Sequence, residues 1–266
     1  MLNRTQPVGG LLRQWRERRR LSQLELACDA GISTRHLSFV ETGRSHPSRQ
    51  MLLHLSEQLE VPVRERNVLL VAAGYAPIFP ERPLADPVLA AARAAVDLVL
   101  ERQKPYPAFA IDRYWRVVAS NAALPQLYDG VASDLLEPPA NAMRLSLHPN
   151  GLAPRIVNLA EWRAHLLDQL CRQVEITADA ALIELLREVS SYPAGGARPV
   201  QVRNEIAIPF QIKIADDVLS FFSMTTVFGT PVDVMLSELA LELFFPADDA
   251  TAATVQRFAA SAGPAN

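Results

Sequence analysis

Cysteine is almost missing from this chain. Cys28 and Cys171 stand alone, with no CxxC pair and no histidine at ligand spacing. That excludes a disulfide framework and suits a reducing compartment. Glycine is scarce too, 11 in 266 residues, which leaves little material for loops that wrap phosphates. No P-loop, dinucleotide glycine fingerprint, GxSxG or HExxH occurs, and His54, His148 and His165 are scattered. No catalytic residue, metal site or tightly held cofactor is therefore expected, and no enzyme. There is no run of about 18 apolar residues and no apolar stretch behind the N-terminal charges. The expectation is a cytoplasmic protein with no membrane partner. Lysine is missing from the first 85 residues, where all 12 basic side chains are arginine.

What is present is divided unevenly. Residues 1–85 carry 12 basic and 8 acidic side chains, and the remainder carries 14 basic and 21 acidic. A basic head on an acidic body suggests that one end meets phosphate. Arginine suits that role, because its fork matches both phosphate and guanine. At 266 residues the chain is long enough for two cores.

The head is organised around Ser22 to Arg44, SQLELACDAGISTRHLSFVETGR. Ser22 and Ser33 each stand where an N-cap hydroxyl accepts a free backbone N–H. Gln23 to Ala27 form one short helix, Ala30 and Gly31 the bend, and Thr34 to Thr42 a second helix closed by Gly43. Leu24, Ala27, Ile32, Leu37 and Val40 have the spacing that packs the two helices at a steep angle. This is a helix-turn-helix, whose second helix reads the DNA major groove. A helix over Gly10 to Arg20 precedes it and places Arg13 and Arg16 for phosphate contact. Two more helices follow, one capped by Ser48 and one from Val63 to Ala73, making a five-helix all-α bundle.

SQLELACDAGISTRHLSFVETGRSHPSRQMLLHLSEQLEVP resembles the helix-turn-helix domain of the XRE (phage repressor and Cro) regulators. The match rests on Gln23, Ala27-x3-Gly31, Ser33, Val40-Glu41-x-Gly43-Arg44 and Pro47. The resemblance implies that Gln23 bonds a phosphate and that Thr34 and Arg35 face base edges. It implies that Phe39 lies toward the groove, where it can touch a thymine methyl, and that Arg44 and Arg49 hold the far backbone. Ser33 and His36 complete the DNA-facing set. Glu41 is expected to be structural, paired with an arginine of the bundle.

RERNVLLVAAGYAP, Arg64 to Pro77, is similar to the end of the head in MmyB-like transcriptional regulators, whose second domain is PAS-like and binds a ligand. The reading divides the chain into a head over 1–78, a proline-rich linker over 79–85 and a second domain over 86–266. In the second domain Asp86 to Gln103 reads as a helix. Ala108 to Val118, turning at Asp112-Arg113, reads as a β-hairpin, and Asn121 as the cap of a helix that ends near Tyr128. Two helices follow, Asn158 to Val174 and one capped by Thr177. Ile206 to Ile214, Val218 to Phe228 and Leu239 to Phe245 read as three late strands. The expected domain is α+β with a five-stranded antiparallel sheet and helices on one face. FAIDRYWRVVASNAALPQLY and TTVFGTPVDVMLSELALELFFPADDAT resemble the opening and end of the MmyB-like domain.

That resemblance implies a non-covalent, fatty-acid-like ligand. A carboxylate in an apolar cavity needs a cation or several donors. MRLSLHP supplies Met143, Arg144 and His148, with Arg144 the first candidate. Trp115 and Trp162 are candidate wall residues and Asn121 a candidate contact. The whole reads as a transcriptional regulator that binds double-stranded operator DNA as a homodimer and senses a small apolar ligand. The rival readings are a second domain that serves only dimerisation or protein docking and, ranked below it, an enzyme fused to a DNA-binding head.

Overall fold

The computed structural model describes residues 7–193, 208–229 and 233–261. It divides into two compact units. The first is Met1–Arg82 with Gln173–Ala180 and Pro231–Ser237; the second is Pro83–Arg172, Ala181–Thr230 and Glu238–Asn266.

In the first unit the head is five helices: α1 (Val8–Arg18), α2 (Gln23–Asp29), α3 (Thr34–Glu41), α4 (Arg49–Gln58) and α5 (Val63–Ala72). The first helix starts two residues before the expected Gly10, directly after Pro7, and ends at Arg18 because Arg20 turns to φ 58°. Ser22 accepts from the Glu25 N–H while the Glu25 carboxylate accepts from the Ser22 N–H, a reciprocal capping box. Ser33 and Ser48 cap α3 and α4 through the hydroxyl alone, accepting from the His36 and Met51 N–H groups. Gly31, at φ 62°, makes the bend between α2 and α3.

Leu11, Leu12, Trp15, Leu26, Leu37, Val40, Leu52 and Leu55 have no exposed surface. Burying each such side chain contributes about 1.5–3 kcal/mol. Leu24, expected between α2 and α3, is 68 % exposed instead. Leu26, Ala27 and Ala30 form the buried arc of α2, and at 100° per residue Leu24 falls outside it. α1 and α3 approach closely at Gly9. A Cβ on Gly9 would stand 2.2 Å from the Val40 carbonyl oxygen. The first unit also includes α11 (Val234–Ser237), whose Val234 N–H donates to the Pro80 carbonyl at 2.8 Å. Arg82 pairs there with buried Asp233 at 3.2 Å.

The second unit opens with α6 (Ala90–Arg102), which follows a single 3-10 turn over Pro87–Leu89. Leu89, Val96 and Leu100 are buried, whereas Val88, Leu98 and Val99 are exposed. Strands β1 (Ala108–Ile111) and β2 (Val117–Ser120) form the expected hairpin, with Trp115 at its tip at φ 63°. Four helices follow in the chain: α7 (Ser133–Leu136), α8 (Ala142–Leu147), α9 (Leu159–Thr177), whose last residues from Gln173 are counted with the first unit, and α10 (Ala180–Ser191). Then come β3 (Phe210–Ile214), β4 (Asp217–Val227), β5 (Ala240–Pro246) and α12 (Asp249–Ser261).

Five antiparallel strands lie in the order β2-β1-β5-β4-β3, the expected sheet. Among the described residues the third strand begins at Phe210; Ile206, its expected start, lies outside them. Pro209 supplies no ladder N–H. Its carbonyl accepts from the Asn158 side chain, which also receives the Gln211 N–H, and this fixes where β3 starts.

The helix expected between Asn121 and Tyr128 is one 3-10 turn, Leu124–Leu127. Register places Phe109, Glu242 and Thr225 side by side on one face of the sheet. Phe210, Phe221 and Phe244 continue that face in tilted and edge-on contact, and Trp162 of α9 packs on Phe210 with ring centres 5.0 Å apart.

Candidate nucleic-acid interface and ligand domain

The outer side of α3 and the segments beside it carry the cations. Arg35, Arg44 and Arg49 are exposed, and Thr34, His36 and Phe39 are half-buried. The Arg35 guanidinium lies 5.3 Å from the centre of the Phe39 ring, and Arg44 lies 5.9 Å from the same ring. Arg49 stands 5.7 Å over Tyr75. Arg13 is exposed on α1 and pairs with Glu17 at 2.8 Å, a contact that raises the guanidinium pKa and lowers that of the carboxyl. The Ser33 hydroxyl caps α3 by accepting the His36 N–H at 3.1 Å.

Two expected phosphate contacts turn inward. Arg16 is buried, and its Nε and Nη2 donate to the two Glu41 oxygens at 2.7 and 3.0 Å. Its Nη1 donates to the Leu21 carbonyl at 2.8 Å, so each nitrogen of the fork is engaged inside the bundle. Glu41 is the structural residue expected, and Arg16 is its partner. The Gln23 amide also donates to Glu41, at 2.7 Å. Arg16, Glu41 and Gln23 thus tie α1, α3 and α2 together, and one of the two Gln23 amide N–H donors is used within the head.

In the second unit five of the six expected ligand residues lie on or against α8: Met143 and Arg144 are on it, His148 ends it, the Trp115 carbonyl accepts the Ala142 N–H at 2.8 Å and Trp162 bonds Ser146, while Asn121 stands apart. Trp115 stands at the hairpin tip. The Asn121 side chain accepts the Ala108 and Ala123 N–H groups and donates to the Leu100 and Tyr106 carbonyls. Every polar valence of that amide goes to backbone, so it holds α6, β1 and the following turn and has nothing left for a ligand. Met143 is buried without exposure. Trp162 is buried and donates to the Ser146 hydroxyl at 2.9 Å.

Arg144 makes a bidentate pair with Glu188 at 2.8 and 2.7 Å. The Arg144 hydrogen bond is the main reason that the Glu188 carboxyl is held below its ordinary pKa. Tyr192 donates to Glu188 at 2.5 Å, and burial, reinforced by that bond, pushes its phenol up to about 12. The His148 ring meets Tyr192 edge-on at 4.9 Å, and its Nδ1 accepts the Asn150 N–H at 3.0 Å. Arg144 and His148 therefore belong to one satisfied cluster that joins α8 to α10.

A small apolar cleft opens elsewhere in this unit. Pro107, Leu127, Leu219, Phe221, Val255 and Phe258 supply most of its wall, and Gln126 is polar. None of the six expected residues lines it. The sequence reading also missed Glu242, 8 % exposed on β5. Burial raises its carboxyl pKa, and the Thr225 hydroxyl, donating at 2.7 Å, opposes that rise. Among the described residues no group of histidine, cysteine and carboxylate side chains is placed to hold a metal ion. No helix among them is long and apolar enough to cross a membrane.

Comparison with known families bears on both units. Residues 7–69 match a helix-turn-helix domain, and residues 92–258 match the MmyB-like transcription regulator ligand binding domain. No curated protein matches the chain.

Proposed function

The chain belongs to the MmyB-like transcription regulators, and on that premise we propose that it binds operator DNA as a homodimer and senses a fatty-acid-like ligand in the cytoplasm of a bacterium. The observation that carries the DNA reading is the row of exposed guanidiniums, Arg35, Arg44 and Arg49, along and beside α3. Thr34 and Arg35, in the first turn, are assigned to base edges, and Arg44, Arg49 and Arg13 to phosphate. One eight-residue recognition helix reads few bases, and two heads related by a two-fold axis read two half-sites.

The alkyl part of the ligand is assigned to the apolar cleft beside Phe221 and Phe258, whose cavity of about 30 Å³ has to widen to take it. Ligand must favour one arrangement of the paired heads over another, since equal affinity for both shifts nothing. No catalytic step is assigned to either unit. The exposed apolar side chains Leu98 and Val99 on α6, with Val88 in the turn before it, favour a second reading of this unit as a dimerisation module.

One experiment tests these readings together. Purified protein is used to enrich duplexes from a random-sequence library, and the enriched duplex is then titrated with and without decanoate. The proposal expects a two-fold symmetric sequence, a 2:1 complex and an affinity that moves with decanoate. A symmetric site with no response to decanoate or longer acids favours the dimerisation module. Failure to enrich any sequence overturns the regulator reading.

A further inference from the structure

We propose that two aromatic rings, Phe39 and Tyr75, position the guanidiniums of the DNA face. Phe39 carries Arg35 and Arg44, and Tyr75 carries Arg49. This rests on the DNA-binding reading above and gives Phe39 a different task from touching a thymine methyl.

The backbone brings each ring to its cations. Arg35 and Phe39 are four apart on α3 and so share a helical face. Gly43, at φ 74°, reverses the chain after α3, and the Ser45 N–H closes the turn on the Phe39 carbonyl at 3.0 Å. That reversal lets Arg44 reach the same ring from beyond the helix end. A second reversal, at Gly74 with φ 76°, follows α5, and the Tyr75 N–H donates to the Leu70 carbonyl at 2.8 Å. The Tyr75 hydroxyl then donates to the Pro47 carbonyl at 3.0 Å, and His46 meets its ring edge-on at 5.9 Å. Tyr75 therefore clamps the segment that leads from α3 into α4, where Arg49 begins the helix. It stands beyond residue 69, where the helix-turn-helix match ends.

The physical effect is preorganisation. A free arginine side chain samples many rotamers and loses them on binding phosphate or guanine. A guanidinium held on an aromatic face has already lost part of that freedom, and an exposed contact of this kind contributes about two- to fivefold in an equilibrium constant. Both rings are half-buried while the three arginines stay exposed, so the rings are anchored by the head and the cations face outward. Arg35 and Arg44 repel each other across Phe39, and the ring face and the DNA anion both offset that repulsion.

The test uses the full chain, the duplex that wild-type protein enriches from a random library, and a scrambled duplex of equal length. Phe39→Leu is expected to weaken the enriched duplex about tenfold, the product of two such contacts. Phe39→Trp is expected to restore it. In an Arg35→Ala, Arg44→Ala background Phe39→Leu is expected to cost nothing further. The salt slope stays that of wild type in Phe39→Leu and falls in the arginine variants. Tyr75→Leu weakens binding a few fold, and Tyr75→Phe, which keeps the ring, does not.

An equal loss from Phe39→Leu in the arginine-less background overturns the proposal and means that the ring itself reads a base. A parallel fall in melting temperature and in binding to both duplexes overturns it in favour of packing alone. Tyr75→Phe as damaging as Tyr75→Leu overturns the Tyr75 half, leaving the hydroxyl bond to Pro47 as the active contact. If wild-type protein enriches no duplex, the proposal falls with the reading it rests on, an outcome that no comparison among variants can mimic.

Discussion

Arg16 and Glu41 face each other inside the head, 25 positions apart in sequence, through two hydrogen bonds of 2.7 and 3.0 Å. The Glu41 side chain is 1 % exposed and that of Arg16 is 10 % exposed. The bond to Glu41 raises the Arg16 pKa against the desolvation that opposes it. Removing one partner leaves a buried charge alone, and such losses are about 3–5 kcal/mol. Arg16→Ala is therefore expected to unfold the head at much lower urea, with DNA binding lost only as the fold is lost. Arg16→Met with Glu41→Leu replaces the pair by apolar bulk and is expected to recover most of the stability. Urea titrations of the two variants check this. A stable Arg16→Ala protein with weakened binding to DNA of any sequence would return Arg16 to the phosphate contacts.

Gly9 and Gly10 are neighbours on α1 with opposite expectations. A Cβ at Gly9 meets two backbone oxygens, Val40 at 2.2 Å and Glu41 at 2.7 Å, and neither can swing aside as a side-chain end can. At Gly10 nothing lies within 4 Å. Gly9→Ala should destabilise the head by about 1–3 kcal/mol, the usual range for overpacking. Gly10→Ala should stabilise it by about 0.5–1 kcal/mol through helix propensity. Melting curves of the two single variants decide it, and equal shifts would show that α1 stands farther from α3.

Glu242 gives the second unit a pH dependence of definite sign. Burial raises its folded pKa above the ordinary glutamate value, so the folded state favours the protonated acid. The contribution to stability is full below the ordinary value and is lost as pH rises through the raised one. Glu242→Gln keeps an uncharged polar group next to Thr225 and removes that loss. The variant is expected to match wild type at pH 4 and to exceed it increasingly toward pH 8. His165, whose pKa burial lowers, destabilises the fold on acidification in both proteins and cancels in the difference. A flat difference in urea stability between pH 4 and pH 8 would remove Glu242 from the titrating groups.

What was legible in the sequence was local. Ser22, Ser33, Ser48 and Gly31 act within three residues of themselves, and the caps and the bend stand where they were read. The alternation from Phe210 to Ile214 was legible for the same reason. The long-range pairings were not. Arg16 looked like a surface cation because arginine is rarely buried, and the carboxylate that holds it lies on another helix. Glu242 looked outward because it alternates with leucines. Yet β5 is the central strand, flanked by β1 and β4, and Leu241, Glu242 and Phe244 are all buried there. A strand covered on both faces defeats a two-residue reading. Arg144 promised a ligand cation, and nothing near it in sequence announced Glu188, 44 positions on.

Arg144 and the apolar cleft make opposite predictions for ligand binding. The Arg144–Glu188 pair is partly exposed, with 45 % of the arginine side chain in solvent, so it contributes at most about 1 kcal/mol to stability. The Nε and Nη2 edge of its fork already holds a carboxylate, and a ligand head that took that edge would displace Glu188 for no net gain in charge pairing. Arg144→Ala is therefore expected to leave the decanoate-induced rise in melting temperature close to that of wild type. Leu219→Trp puts a larger ring among Phe221, Val255 and Phe258, and is expected to abolish that rise by filling the cleft. Isothermal titration of decanoate into both variants gives the same contrast in affinity. Loss of the response in Arg144→Ala with an unchanged melting temperature, together with a normal response in Leu219→Trp, would move the ligand head to the Arg144 cluster and empty the cleft of its assigned role.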